Sequence, residues 1–245
     1  MNFTDIHTHI LYGVDDGPGS PEQMRRLLDA LYADGVRCLC ATSHVYPALF
    51  GDQRERVLER FAELKSHAAQ VYPDLRVCLG SEVRCSGEIL SWLRSGACLT
   101  LNGGNHVLVD FGARESESRI VRGLEQILSS GYSPVLAHVE RYERLSASAV
   151  RDLARNGVVL QADAGSFFGA FGPGAMYRAC SMLRSQLLDV VASDAHDFKR
   201  RPPVMGRAYA LAVNKCGKDY AKALFVTNPR LLLEENGWEE RDSKR

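Results

Sequence analysis

Five of the seven histidines stand in four short motifs, three of which mix imidazoles with carboxylates. These are Asp5-Ile6-His7-Thr8-His9, Ser43-His44, His138-Val139-Glu140-Arg141 and Ser193-Asp194-Ala195-His196. Gly80-Ser81-Glu82 and Val109-Asp110-Phe111 add two more carboxylates. Imidazole nitrogens and carboxylate oxygens converging on one place suit Mn²⁺, Fe²⁺ or Zn²⁺. A His-x-His pair on a strand puts both rings on one face. That pair alone is common by chance; six such groups at comparable positions are not.

The positions become comparable once the elements are read. Short apolar runs at 2–6, 36–42, 76–80, 106–111, 134–138, 158–162 and 188–193 read as strands. Amphipathic runs at 21–34, 53–71, 87–95, 116–130, 147–156, 174–186 and a group over 204–236 read as helices. Seven strand-to-helix alternations predict a parallel sheet with helical crossovers. Ser20-Pro21-Glu22-Gln23 supplies an N-cap, a proline at the first helical position and a capping-box partner. Gly35, Gly131 and Gly157 stand where helices should stop. Each chemical motif then falls at the C-terminal end of a strand, the face where α/β barrels gather their active groups. His67 lies on the second helix and His106 begins a strand, so both are set aside. Residues 1–238 read as one domain, and 239–245, with six charges in seven residues, as a frayed tail. Gly165–Gly174, with four glycines and three phenylalanines, reads as an ordered loop.

Lysine plus arginine and aspartate plus glutamate each number 30, so the 245-residue chain is formally neutral. That balance disfavours a general nucleic-acid or acidic-membrane binder. No apolar run approaches the roughly 18 residues of a membrane span, and a cytoplasmic protein is expected. The odd count of seven cysteines, without a C-x2-C pair, predicts buried free thiols. Cys78 and Arg84 have the C-x5-R spacing of cysteine-dependent phosphatases. Glu82, however, would put a carboxylate in the phosphate cradle, so the spacing is read as a decoy.

With Val14-Asp15-Asp16-Gly17-Pro18, Tyr142, Arg201-Pro202-Pro203 and Leu224–Arg230, the motifs run in order over nearly the whole chain. In this arrangement the chain resembles the PHP (polymerase and histidinol phosphatase) superfamily. More closely, it resembles the bacterial capsule and exopolysaccharide tyrosine-protein phosphatases of the CpsB/YwqE type. The resemblance implies a distorted (β/α)7 TIM-like barrel of the PHP fold with three divalent metal ions, Mn²⁺ first among Mn, Fe, Co and Zn. It gives His7, His9, Glu82 and Asp194 to one ion. Glu82, Asp110 and His138 go to a second, and Asp16, His44 and His196 to a third. Arg141 and Arg201 match the family's phosphate-binding arginines. Asp110 stands where relatives carry glutamate, one methylene longer. The implied activity is phosphotyrosine hydrolysis by a metal-activated hydroxide. Its implied partner is the tyrosine-phosphorylated tail of a membrane-associated bacterial kinase that controls polysaccharide export. Two rivals remain: a phosphatase of a small ester such as histidinol phosphate, and a catalytically silent kinase-binding module. Aromatic residues in mouth-side loops, Tyr12, Tyr46, Phe50, Phe167 and Phe168, are candidates for the wall of a phenol pocket, Tyr46 and Phe50 foremost.

Overall fold

The computed structural model describes residues 1–45 and 53–234. The charged tail and the two foremost wall candidates, Tyr46 and Phe50, lie outside the described residues.

Nine parallel segments form the sheet: β1 (Phe3–Thr8), β2 (Val36–Ala41), β3 (His44–Val45), β4 (Arg76–Leu79), β5 (Glu82–Arg84), β6 (His106–Asp110), β7 (Ser133–Leu136), β8 (Val159–Asp163) and β9 (Val190–Ala192). They pair as β1-β2-β4 and as β3-β5-β6-β7-β8-β9. The expected strands at 36–42 and 76–80 appear as β2 and β4; after two-residue breaks at Thr42-Ser43 and Gly80-Ser81 the chain pairs again with a new neighbour, in the short β3 and β5 that the sequence did not predict. Backbone bonds carry the sheet across the breaks: Thr42 N–H donates to Thr8 O at 2.8 Å and Gly80 N–H to Ala41 O at 2.9 Å. Past β9, Thr8 bridges Ala195 in parallel, and Asp194 N–H donates to His7 O at 2.9 Å. The sheet therefore curls until its first and last members touch.

The helices are α1 (Pro21–Ala33), α2 (Arg54–Val71), α3 (Ile89–Ser95), α4 (Glu117–Ser129), α5 (Ala147–Arg155), α6 (Gly172–Arg184) and α7 (Met205–Cys216), followed by short helical turns to Leu232. At α1, Ser20 Oγ accepts from Gln23 N–H at 3.3 Å, and Gln23 Oε1 reaches back to Gly19 N–H at 2.8 Å. The expected box is present, one residue early on its return arm. Helix α4 buries Ile120, Leu124 and Ile127, one stripe at helical spacing, and leaves its other face in water. Apolar residues of seven strands, among them Ile6, Cys40, Cys78, Leu108 and Val135, pack with Leu232 and Leu233 in an inner cluster. Three of the seven free cysteines are buried and four are partly buried. No described helix is long and apolar enough to cross a membrane.

Candidate metal centre

The site begins at the end of β1, where His7 and His9 are wholly buried. A tight loop then folds back over them. A Cβ on Gly17 would stand 2.1 Å from His9 O, so only glycine lets the Asp15-Asp16 pair approach this closely. Asp15 Oδ2 lies 2.9 Å from His9 Nδ1 and accepts from His44 N–H at 2.9 Å. Gln161 Oε1, on β8, lies 3.1 Å from His7 Nδ1 and accepts from His138 N–H at 2.9 Å. Both oxygens are acceptors, so each Nδ1 must donate, and in the neutral rings each Nε2 keeps its lone pair.

Those two Nε2 atoms lie 3.2 Å apart. Glu82 Oε2 stands 3.4 Å from His7 Nε2 and 3.2 Å from His9 Nε2, and Asp194 Oδ1 is 3.4 Å from each. Four ligand atoms about 2.0–2.2 Å from a common centre would show separations of this size. Four electron-rich atoms this close demand positive charge between them. In the bare protein, protons supply it. Burial alone would push His7 down, but Glu82 and Asp194 outweigh it and raise the ring to about 9. Burial likewise opposes ionisation of Glu82 and Asp194, yet the surrounding imidazoles, joined at Asp194 by Arg201, hold both well below the usual carboxylate range. This donor set fits a divalent ion.

Two neighbouring groups share its members. Glu82 Oε1 lies 2.9 Å from His138 Nε2, which stands 3.8 Å from Asp110 Oδ1. Asp16 Oδ1 lies 3.4 Å from His44 Nε2 and 3.2 Å from His196 Nε2, with His9 close by. All nine residues expected as ligands are thus together, in three groups able to hold a cation. His138 (φ 36°) and Asp194 (φ 50°) both adopt left-handed backbone conformations that L-residues disfavour. Such strain clusters where surroundings over-determine a functional geometry.

Arg141 and Arg201 complete the site. Asp194 divides its oxygens: Oδ1 faces the imidazoles, while Oδ2 takes Arg141 Nη1 at 3.0 Å and also Arg201 Nη2. Arg141 also reaches Asp163 Oδ2 at 3.4 Å, while the neighbouring Glu143 goes to Arg114. Both arginines line a cavity of about 220 Å³ together with Glu82, His138, Phe111 and Tyr142.

The other wall candidates fall elsewhere. Tyr12 donates to Glu63 Oε2 at 2.7 Å under Arg60, Phe167 is buried in the core and Phe168 packs beneath Arg207. Aromatic type alone does not fix direction, and the rings at the cavity are Phe111 and Tyr142. His67 sits half-buried on α2, and His106 is buried at the start of β6. A hydrogen bond with Cys38 and the charge of Arg76 lower the Cys78 thiol to about 7, but Cys78 is 2% exposed in the inner cluster, out of reach of a phosphate. Asp15, Gln161 and Asp163 go beyond the sequence reading. Asp163 carried a signal, since it too ends a strand on the mouth side, and Asp15 adjoins Asp16.

The family described as "Capsular polysaccharide synthesis, CpsB/CapC" matches residues 3–234. Tyrosine-protein phosphatase CpsB of Streptococcus pneumoniae is 37% identical over 236 residues, covering 94% of this chain and 97% of the relative. Tyrosine-protein phosphatase YwqE of Bacillus subtilis is 30% identical over 203 residues, 80% of this chain and 78% of its own. A solved structure from the pair YwqE of B. subtilis and CpsB of S. pneumoniae, described as unique metal-dependent tyrosine phosphatases, superposes with a TM-score of 0.87 at 28% identity over 95% of both chains.

Proposed function

The chain belongs to the CpsB/CapC family of capsular polysaccharide synthesis, and on that premise we infer that it is a metal-dependent protein-tyrosine phosphatase. The observation that carries this reading is the shared Asp194, one oxygen in a donor set fit for a divalent ion and the other against two guanidiniums. A phosphate ester needs both beside each other.

We assign His7, His9, Glu82 and Asp194 to one ion, Glu82, Asp110 and His138 to a second, and Asp16, His44 and His196 to a third. Mn²⁺ is the first choice for this oxygen-rich donor set. When bound, such ions act as Lewis acids and supply a water-derived nucleophile at neutral pH. The protein's own part is orientation and charge. Asp15 and Gln161 fix the His9 and His7 tautomers. Arg141 and Arg201 present paired donors to the equatorial phosphoryl oxygens as the bond to the phenolate oxygen lengthens. The phenolate leaves without a protein acid and takes its proton from water. Phe111 and Tyr142 give the ring an apolar wall. On this reading β2 with β3, and β4 with β5, count as single interrupted strands of a (β/α)7 barrel. The phosphorylated tail of a capsule-regulating tyrosine kinase suits a recessed site, because phosphotyrosine carries its phosphate far from the backbone.

A substrate panel tests this reading. Phosphotyrosine peptides should be cleaved with Mn²⁺ present, and phosphoserine peptides and histidinol phosphate much more slowly. Preference for histidinol phosphate would move the enzyme to the small-ester class. No turnover of any of the three with Mn²⁺ bound would leave a silent binding module.

A further inference from the structure

The glycine-rich loop between β8 and α6 ends in an aromatic ring that the phosphatase mechanism leaves without a task. Phe171 lies between Gly169 (φ +83°) and Gly172 (φ +88°), both in conformations that strongly favour glycine. The loop is bound to itself: Ala170 N–H donates to Gly165 O at 3.2 Å and Gly172 N–H to Gly169 O at 3.0 Å. A Cβ on Gly165 would lie 3.8 Å from the Phe171 ring, so the turn packs closely behind it. Arg178 Nε, on α6, donates to Glu140 O at 2.6 Å and ties the loop's far end to the turn that carries Arg141.

What the ring faces is specific. Arg141 Cζ lies 4.3 Å from its centroid and Arg201 Cζ 5.4 Å from the same centroid. The two arginines come from chain segments 60 positions apart, and among the described residues they share this ring and Asp194 Oδ2. The cavity is lined by both arginines but not by Phe171, so the ring braces them from outside it. Guanidiniums stack on aromatic faces, and the attraction grows when water is excluded.

We propose that Phe171 is a positioning residue that holds Arg141 and Arg201 as one phosphate clamp. This rests on the reading of those arginines as the clamp. Asp194 Oδ2 fixes where the two cations meet; Arg141 reaches its second carboxylate, Asp163, through the same Nη1, and Arg201 reaches Asp16 only at 3.8 Å, so neither guanidinium plane is held by a bidentate pair. A ring face restricts the planes, and the plane decides whether paired N–H groups can address two phosphoryl oxygens at once. The glycines let the chain bring the ring to that place.

The test uses the Mn²⁺-loaded enzyme and two readouts: kcat and KM on a phosphotyrosine peptide, and calorimetric titration with inorganic phosphate. F171L keeps an apolar side chain but removes the π face. It should lower kcat/KM and weaken phosphate binding by roughly tenfold, with bound Mn²⁺ per protein unchanged. F171Y and F171W should stay within about threefold of wild type. In an R141A/R201A background, F171L should change neither readout, because nothing is left for the ring to orient. F171L as active as F171Y would make the ring ordinary packing and overturn the proposal. An equal loss on adding F171L to the R141A/R201A protein would overturn it too. If R141A and R201A themselves retain wild-type phosphate affinity, the clamp reading has failed first, and that result is seen independently of Phe171.

Discussion

The two ends of the same sheet hold similar residue types and opposite chemistry. Strand β6 carries His106 at one end and Asp110 at the other, both nearly sealed from water. At the starting end, burial holds the His106 ring down to about 4, neutral, against the opposing pull of a hydrogen bond with the Leu232 backbone. At the far end, the His7 and His9 rings are raised and the Glu82 and Asp194 carboxyls lowered, because each faces the other. Burial is equal; company is not. A buried histidine among apolar neighbours is a core residue, and a buried histidine among carboxylates is a ligand in waiting.

Exchanging histidines across that divide should break the symmetry most sharply. His7→Ala or Glu82→Ala should cut kcat for phosphotyrosine by roughly 10³-fold or more, since a ligand of the central group is lost. His67→Ala, on α2, should stay near wild type. Steady-state kinetics with circular dichroism checks both, and equal losses at His7 and His67 would erase the distinction between the site and the rest. Next in size is Arg141→Ala. It should lose roughly 10²–10³-fold in kcat while elemental analysis finds its metal content unchanged; reduced metal would make Arg141 a support of the ligands rather than a phosphate contact.

Much of this division was legible in the sequence. The motifs at strand ends pointed to eight of the nine expected ligands, because a parallel barrel turns strand direction into position: the residues just past a strand's C-terminal end must reach the mouth. Asp16, in the loop beyond β1, came only with the family resemblance. The same logic discarded His106. It was less informative where direction depends on packing. Tyr12 and Phe168 look like mouth residues by position, yet Tyr12 turns to Glu63 and Phe168 lies under Arg207. The breaks after β2 and β4 have no local signature, because they arise from a change of neighbour, not of propensity. Gln161 was invisible for a related reason: it looks like any strand polar residue until its oxygen meets His7 and the His138 amide.

The smallest effect concerns the quiet end. The folded His106 titrates near 4 and the unfolded one near 6.5. Between these values the unfolded chain binds the extra proton, so stability falls as pH drops through that window, by about 3 kcal/mol in all. His106→Gln removes that proton. Urea unfolding of the metal-free proteins at pH 7 and pH 4.5 should show a shallower acid loss for the variant than for wild type. Parallel losses would mean His106 is solvated and the two ends are less distinct than described.

The central claim is that the carboxylate–imidazole end of the barrel works through metal while the thiols do not work at all. Turnover of a phosphotyrosine peptide, followed through exhaustive chelation, Mn²⁺ restoration and then iodoacetamide treatment, tests it most directly. Activity should vanish on chelation, return with Mn²⁺ and survive alkylation. Activity that persists without metal and dies with iodoacetamide would return the chemistry to Cys78 and contradict the account.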